Sequence, residues 1–234
     1  MSTLENGTAS QSVVESIDID GFAVGKGVLS ESDCRAVEVN LDRSALSGAG
    51  SRNLLDSEWC AALATRIRME PVLSQVLADN VAVQCTYFEK NTESNWLVAI
   101  HQDLSIPVKE RVDSEHLAGW NTKQGRTFLQ APVLVLERML AVRLAVDDNG
   151  PANGSLRVVP RSHRLGRTAG GDCIARRREL GEIECHVPRG GAVLMKPLLL
   201  HASSKATGSQ TRRILHFVYG PKKLPFGLEW AHAI

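Results

Sequence analysis

The sequence predicts a mainly β fold, a sandwich or barrel, preceded by a helical N-terminal region. Three observations carry this. After residue 80, eight short runs rich in Val, Ile and Leu follow one another. Gly, Pro, Asn and Asp breaks separate them, such as Asp147-Asp148-Asn149-Gly150-Pro151 and Pro188-Arg189-Gly190-Gly191. Before residue 80, apolar residues recur at helical spacing instead. Many short strands at such intervals belong to a sandwich or barrel, not to a parallel α/β sheet.

Taken in order, residues 1–15 are rich in Ser, Thr, Asn and Gln and predict a flexible tail. A short strand is predicted at 21–29. Ser30 and Asp33 resemble a capping box that opens a helix, on which Cys34, Val37 and Leu41 recur three and four residues apart. A second helix is predicted from near Asp56, with Trp59, Leu63 and Ile67 on one face at four-residue steps. Pro71 occupies the favoured first-turn position of a third helical piece carrying Val72 and Val76. Strands are predicted at 81–88, 95–103, 139–146, 156–159, 182–187, 192–195, 198–202 and 212–219. The polar stretch 109–128, with Gly119 and Gly125, predicts a long loop of lid type, with disorder as the alternative. No fixed-period repeat or linker divides the chain. This predicts one domain over 16–234, with helical support at about 30–80 and a β core at about 81–220.

Composition narrows the function classes. With 27 basic and 26 acidic residues the net charge is +1, so no strong field favours nucleic acid or an anionic membrane. Aromatics make up only 5%, which leaves few platforms for stacking bases. No apolar run reaches the roughly 18 residues a membrane span needs, and the N-terminus lacks the basic start and apolar segment of a signal peptide. Cys34, Cys60, Cys85, Cys173 and Cys185 are odd in number and scattered, with no paired zinc spacing. A reduced, cytoplasmic protein acting on a small molecule is the simplest expectation.

The chemistry concentrates in two places. His101-Gln102-Asp103 lies on a predicted strand, where a period of two puts the imidazole and the carboxylate on one face. A third ligand is available among seven histidines. His201 ends the apolar run Leu198-Leu199-Leu200 and would emerge from a buried strand. Two His and one carboxylate on one side of a metal are the facial triad of non-heme iron(II) oxygenases, which leaves open positions for a 2-oxo acid and O2. On its own an H-x-D triplet is also what a strand-end His beside a surface Asp looks like. Ser203 follows His201 by two residues and Arg212 by eleven. Alternation puts Arg212, Ile214, His216 and Val218 on one face, and Arg213, Leu215 and Phe217 on the other. An inward guanidinium there would grip a carboxylate bidentately and stay charged when buried.

These residues resemble the phytanoyl-CoA dioxygenase family of iron(II)/2-oxoglutarate oxygenases. The likeness rests on His101-x-Asp103, His201, Ser203 and Arg212. It also rests on Asn153-Gly154-Ser155-Leu156-Arg157-Val158-Val159-Pro160-Arg161-Ser162-His163, which is similar to the family's "NGxLxVxPGSH" turn, with Arg161 where Gly is usual. The opening Asp20-Gly21-Phe22 to Asp33 segment is similar as well, so the resemblance covers nearly the whole chain. It implies a double-stranded β-helix (a jelly roll, cupin-like), with iron(II) held by His101, Asp103 and His201. It further implies that Arg212, assisted by Ser203, holds the distal carboxylate of 2-oxoglutarate. Trp120 resembles a Trp that approaches the co-substrate, its alternative being an aromatic plug in a loop. Gln84, on the strand before the triad strand, would hydrogen-bond the co-substrate. Relatives that halogenate lack the carboxylate present here as Asp103, so hydroxylation or a related C–H oxidation is implied, with release of succinate and CO2.

Two other readings compete with the oxygenase. One is a cupin-like metalloprotein that does not use 2-oxoglutarate, which leaves Arg212 and Ser203 unexplained. The other is a non-catalytic binding relative, which leaves an intact triad unexplained. Arg176-Arg177-Arg178 reads as a solvated face, with capture of an anionic substrate as the alternative. His163 reads as structural. His216 either touches substrate or is a satisfied core histidine, and Arg143 either lines the pocket or pairs with an acid.

Overall fold

The computed structural model describes residues 6–44 and 50–234, with side chains described from residue 12 onward. The N-terminal layer holds α1 (Asn6–Asp20), β1 (Phe22–Gly25), α2 (Glu31–Arg43), α3 (Glu58–Met69) and α4 (Pro71–Leu77). The capping box of α2 is formed. Ser30 Oγ accepts the Asp33 backbone N–H at 3.2 Å, and the Asp33 carboxylate accepts the Ser30 N–H at 3.1 Å. The Ser30 hydroxyl and Arg66 also bond to that carboxylate, and together these bonds hold it down at about 2. Pro71 sits in the first turn of α4.

One expectation is corrected here. Helix α1 runs back to Asn6, into the stretch 1–15 where composition predicts a flexible tail; residues 1–5 lie outside the described residues. Val13 and Ile17 are one helical turn apart and both pack on the apolar cluster beneath, Ile17 being 2% exposed. Burial of that stripe overrides the polar composition.

The β region contains β2 (Asn80–Lys90), β3 (Val98–His101), β4 (Ser105–Val108), β5 (Ala118–Lys123) and β6 (Arg126–Gln130). The short helix α5 (Val133–Leu136) leads to β7 (Leu140–Ala145) and β8 (Leu156–Val158). After α6 (Cys173–Leu180) come β9 (Ile183–Cys185), β10 (Ala192–Met195), β11 (His201–Ser203) and β12 (Arg212–Pro221). A five-stranded antiparallel sheet has the order β1-β10-β7-β12-β2, and a four-stranded one the order β3-β11-β8-β9. Their inner faces share one apolar cluster, with Ala141, Ala145, Val193 and Ile214 from the first sheet against Leu156 and Val158 from the second. This is the double-stranded β-helix that the resemblance implies.

The pleat sorts residues between two cores. Leu140, Val142 and Leu144 of β7 and Leu215, Phe217 and Tyr219 of β12 point to the helices, where Leu55, Ile67 and Leu77 are fully buried. Arg143 of β7 and Arg212, His216 and Val218 of β12 take the opposite face, toward the interior of the jelly roll. The alternation predicted for 212–219 holds, and Arg213 points outward to Asp147 and Glu38.

A second correction concerns 109–128. Its second half is not a loop: residues 118–128 belong to the hairpin β5–β6, which with β4 forms a third, three-stranded sheet in the order β4-β6-β5. Gln124 and Gly125 both have positive φ, at 48° and 79°, and link Lys123 to its partner Arg126. That two-residue hairpin turn is compatible with strand twist and compensates for the polar composition. The arginine run lies on α6, where Arg176 pairs with Glu179 at 2.8 Å and Arg177 with Glu182 at 2.5 Å, as a solvated face does.

Candidate active site

A cavity of about 430 Å3 opens between the two main sheets. His101 ends β3 and His201 opens β11, and these two residues are directly paired in register. Asp103 lies just beyond β3, not on it as the sequence predicts. Its backbone N–H donates to the Pro197 carbonyl at 2.9 Å, which pins the carboxylate beside both imidazoles. Between them Gln102 turns away, and its side-chain amide donates to the Leu198 and Gly166 carbonyls at 2.6 and 2.8 Å. It also accepts the Thr168 N–H at 2.9 Å, stapling the loops behind the site. The H-Q-D triplet thus has a structural middle and two ends that face the cavity.

Ligand atoms of His101, Asp103 and His201 all lie within 4.8 Å of one another. Each imidazole is oriented from behind. His101 Nδ1 is 2.8 Å from the Ala99 carbonyl and His201 Nδ1 is 2.9 Å from the Leu199 carbonyl. A carbonyl only accepts, so Nδ1 carries the proton and the Nε2 lone pairs face the centre. Those Nε2 atoms stand 3.6 and 3.5 Å from the Asp103 oxygens. Burial pushes the His201 imidazole down to about 4. Burial works against ionised Asp103, but the imidazoles of His201, His101 and His216 outweigh it and hold the carboxyl well below the usual carboxylate range. A neutral imidazole and an ionised carboxylate are the states a divalent cation requires. The donor set fits iron(II), with ring orientation fixed by backbone carbonyls.

At the other end of the cavity Arg212 is 1% exposed. Its Nη1 donates to the Gly154 carbonyl at 2.6 Å, while its Nε–H is buried without a partner among the described residues. Gly154 is at φ +65°, and a Cβ there would come within 2.4 Å of the Ser204 carbonyl oxygen, so the turn that meets Arg212 needs glycine. Ser203 is buried alongside. Gln84 lines the cavity, its amide donating to Thr86 Oγ1 at 2.7 Å.

Trp120 is the site expectation the structure does not bring in. It lies on β5, packed against the cluster around Ile106 and Leu129, with the Arg111 guanidinium 5.7 Å from its ring centroid. The unforeseen hairpin β5–β6 carries it off the cavity lining, where it packs partly buried on a strand and not in a loop. Trp96 lines the cavity instead. His163 is also outside the cavity lining, packed against Gly21, where a Cβ would meet its ring at 2.4 Å. His216 does face the cavity: its Nε2 is 3.7 Å from Asp103, and its Nδ1 has no partner among the described residues. It is therefore not a satisfied core histidine.

Sequence reading missed Lys90. Its side chain is wholly buried, paired in register with Arg212. The ammonium donates to Ser203 Oγ at 3.1 Å and to the Ser204 carbonyl at 2.6 Å, and lies 5.5 Å from the Trp96 ring centroid. Burial, and then the charges of Arg212, Arg143 and Arg157, push it down to about 8. The signal in the sequence was a lysine two residues past an apolar strand, which ordinarily means a solvated end.

The phytanoyl-CoA dioxygenase (PhyH) family model matches residues 17–214. The chain belongs to the phytanoyl-CoA dioxygenase family. It is a 2-oxoglutarate-dependent non-heme iron oxygenase. Solved structures share the family fold. The α-ketoglutarate-dependent epimerase SnoN from nogalamycin biosynthesis is 16% identical, with a TM-score of 0.68 over 96% of this chain and 89% of its own. HygX from Streptomyces hygroscopicus, with nickel and 2-oxoglutarate bound, is 18% identical, with a TM-score of 0.62 over 90% of this chain and 86% of its own. Apo EctD from S. alaskensis is 19% identical, with a TM-score of 0.68 over 100% of this chain and 86% of its own. No curated protein sequence matches the chain. Among the described residues, no helix is long and apolar enough to cross a membrane.

Proposed function

We propose that His101, Asp103 and His201 hold the iron(II), and that Arg212, Ser203 and Lys90 hold the distal carboxylate of 2-oxoglutarate. In this reading the enzyme oxidises a C–H bond of a small organic molecule, most simply by hydroxylation, and releases succinate and CO2. The observation that carries it is one cavity of about 430 Å3 with a chelating triad in its wall and a buried, incompletely bonded Arg212 in the same wall. When bound, iron(II) with 2-oxoglutarate and O2 supplies the oxidising chemistry.

The chain's own part is positioning. The Ala99 and Leu199 carbonyls keep both Nδ1 protons in place, so the two Nε2 atoms stay available. Lys90 donates to Ser203 Oγ, which leaves the serine hydroxyl proton free to donate to an arriving carboxylate. Gln84 pairs in register with Val218, and Lys90 with Arg212. Six residues of strand separate Gln84 from Lys90, roughly 20 Å, so Gln84 serves the substrate side of the cavity, away from the distal-carboxylate site. Trp96 takes the wall position expected of Trp120. Residues 16–234 act as one catalytic unit. Five free, buried cysteines accord with the reducing cytoplasm as its location.

HygX has been crystallised with hygromycin B, and SnoN with nogalamycin RO. Small organic molecules bound in these structures support a small-molecule substrate here. The test is aerobic incubation with Fe(II) and 2-oxoglutarate, measuring succinate and O2 uptake. Succinate should form slowly even without substrate, and a chelator should stop it. No succinate from folded protein that retains Fe(II) would favour a cupin-like metalloprotein.

Lys90 gives this reading a pH signature. A depressed lysine loses its proton as pH rises through its own value, here about 8. The dianionic co-substrate prefers the protonated form. Apparent affinity for 2-oxoglutarate should therefore fall about tenfold between about pH 7 and about pH 9. Titrations of Lys90→Met should be weaker throughout and lose most of that slope. An equal slope in the variant would remove Lys90 from the co-substrate site.

A further inference from the structure

The cavity holds a second buried guanidinium, Arg143, that makes no hydrogen bond or ion pair among the described residues. It lies on β7, is 9% exposed and faces the cavity. Its buried Nε–H has no acceptor among the described residues. Its guanidinium carbon lies 5.4 Å from the Phe88 ring centroid. The contrast with Arg213 is direct, since that guanidinium is bonded to Asp147 and Glu38. An isolated buried cation is costly, so a protein that keeps one has a use for the missing anion.

Register places Arg143 nearer the triad than Arg212 is, although its charge is felt by both Arg212 and Lys90. It pairs across the sheet with His216, whose Nε2 is 3.7 Å from Asp103. Arg212 lies four residues further along β12, roughly 13 Å of strand. Arg143 therefore stands on the triad side of the cavity. Charge counting agrees. Arg52, Lys90, Lys123, Arg143 and Arg212 line the cavity, and Asp103 is its one carboxylate among the described residues. Iron(II) and 2-oxoglutarate cancel each other's charge, so the cationic surplus survives when both are bound. The cavity wall also carries apolar side chains, Leu104, Ile106, Phe128, Met139 and Val218, beside the polar Gln84, Thr86 and Ser105.

We infer that Arg143 anchors the substrate through a carboxylate, which makes the substrate a small organic acid with an apolar body. The inference rests on the assignment of the triad and Arg212 given above. Parallel N–H donors on one edge of a planar guanidinium match the two oxygens of a carboxylate. With the acid end fixed on β7, the apolar body rests on Ile106, Phe128 and Val218, and one of its C–H bonds is held beside the triad. Arg143 is thus a specificity residue, separate from the residues that hold the co-substrate.

The test uses protein loaded anaerobically with Fe(II) and 2-oxoglutarate. Calorimetric titrations compare phenylpropanoate, hexanoate and N-acetyl-leucine with their primary amides, while the visible charge-transfer band reports the loaded site. At least one acid should bind roughly tenfold or more tightly than its amide. Arg143→Gln and Arg143→Met should weaken that acid by roughly tenfold to hundredfold, leave amide binding and the band unchanged, and change the 2-oxoglutarate affinity far less than Arg212→Leu does. Thermal unfolding of the ligand-free protein guards against simple misfolding: Arg143→Met should melt higher than wild type, because an unpaired buried charge is gone. Acids and amides binding alike, or neither binding, with a normal band would overturn the inference alone. A 2-oxoglutarate requirement raised in the Arg143 variants as far as in Arg212→Leu would also overturn it, by giving Arg143 to the co-substrate. Absence of the band in wild type would overturn the site assignment and the inference with it.

Discussion

His201→Ala is expected to abolish Fe(II)-dependent succinate formation, by more than the roughly 10–100-fold that loss of an outer-shell partner costs a metal site. His201 is the most buried member of the triad, 6% exposed, and its ring is fixed by the Leu199 carbonyl. Burial pushes it down to about 4, so it is neutral at working pH and offers Nε2 as a lone pair. Removing the ring leaves His101 and Asp103 alone, and two donors do not make a facial triad. The fold should survive, because the neighbouring Leu199 and Leu200 anchor the segment in apolar clusters on their own. Iron content after gel filtration, together with succinate yield, checks this. Retained iron with retained turnover would place the metal elsewhere.

Arg212→Leu should raise the 2-oxoglutarate requirement by roughly hundredfold or more, as truncating one partner of a buried charge pair costs about 2–5 kcal/mol. Its effect should fall on the concentration of co-substrate needed far more than on the rate at saturation, since the residue lies away from the triad. Burial and the nearby Arg143 weigh against its charge, yet a guanidinium keeps its proton. The positive charge therefore waits for an anion. Arg212→Lys should fall between wild type and Leu, because a point charge replaces the fork. The same 2-oxoglutarate dependence in Arg212→Leu as in wild type would dissociate the residue from the co-substrate.

Much of this was legible in the sequence because strand alternation is a strict code. The pattern Arg212, Ile214, His216, Val218 against Arg213, Leu215, Phe217 left only one of the two arginines facing inward, the spacing from His201 pointed to Arg212, and the pleat bears this out. The capping box at Ser30 and the proline at the start of α4 were equally local signals. What escaped depended on distant partners. Nothing singles out Lys90 until Arg212 and Ser203 are seen across the sheet. Trp120 followed Asp103 by a spacing that carried no information about the β5–β6 hairpin between them and the cavity. Helix α1 escaped because a polar composition hid two apolar residues, Val13 and Ile17, with a core to land on. Asp103 falls just past the strand predicted for it, and the Pro197 carbonyl, not the pleat, sets its position.

The central claim is that one cavity binds iron(II) through His101, Asp103 and His201 and binds 2-oxoglutarate through Arg212. Anaerobic titration of the metal-free protein with Fe(II), then with 2-oxoglutarate, tests it most directly. The predicted result is a weak visible charge-transfer band that saturates with co-substrate, is absent in His201→Ala, and needs far more 2-oxoglutarate in Arg212→Leu. Folded, iron-loaded wild-type protein that develops no band at saturating 2-oxoglutarate would contradict the claim.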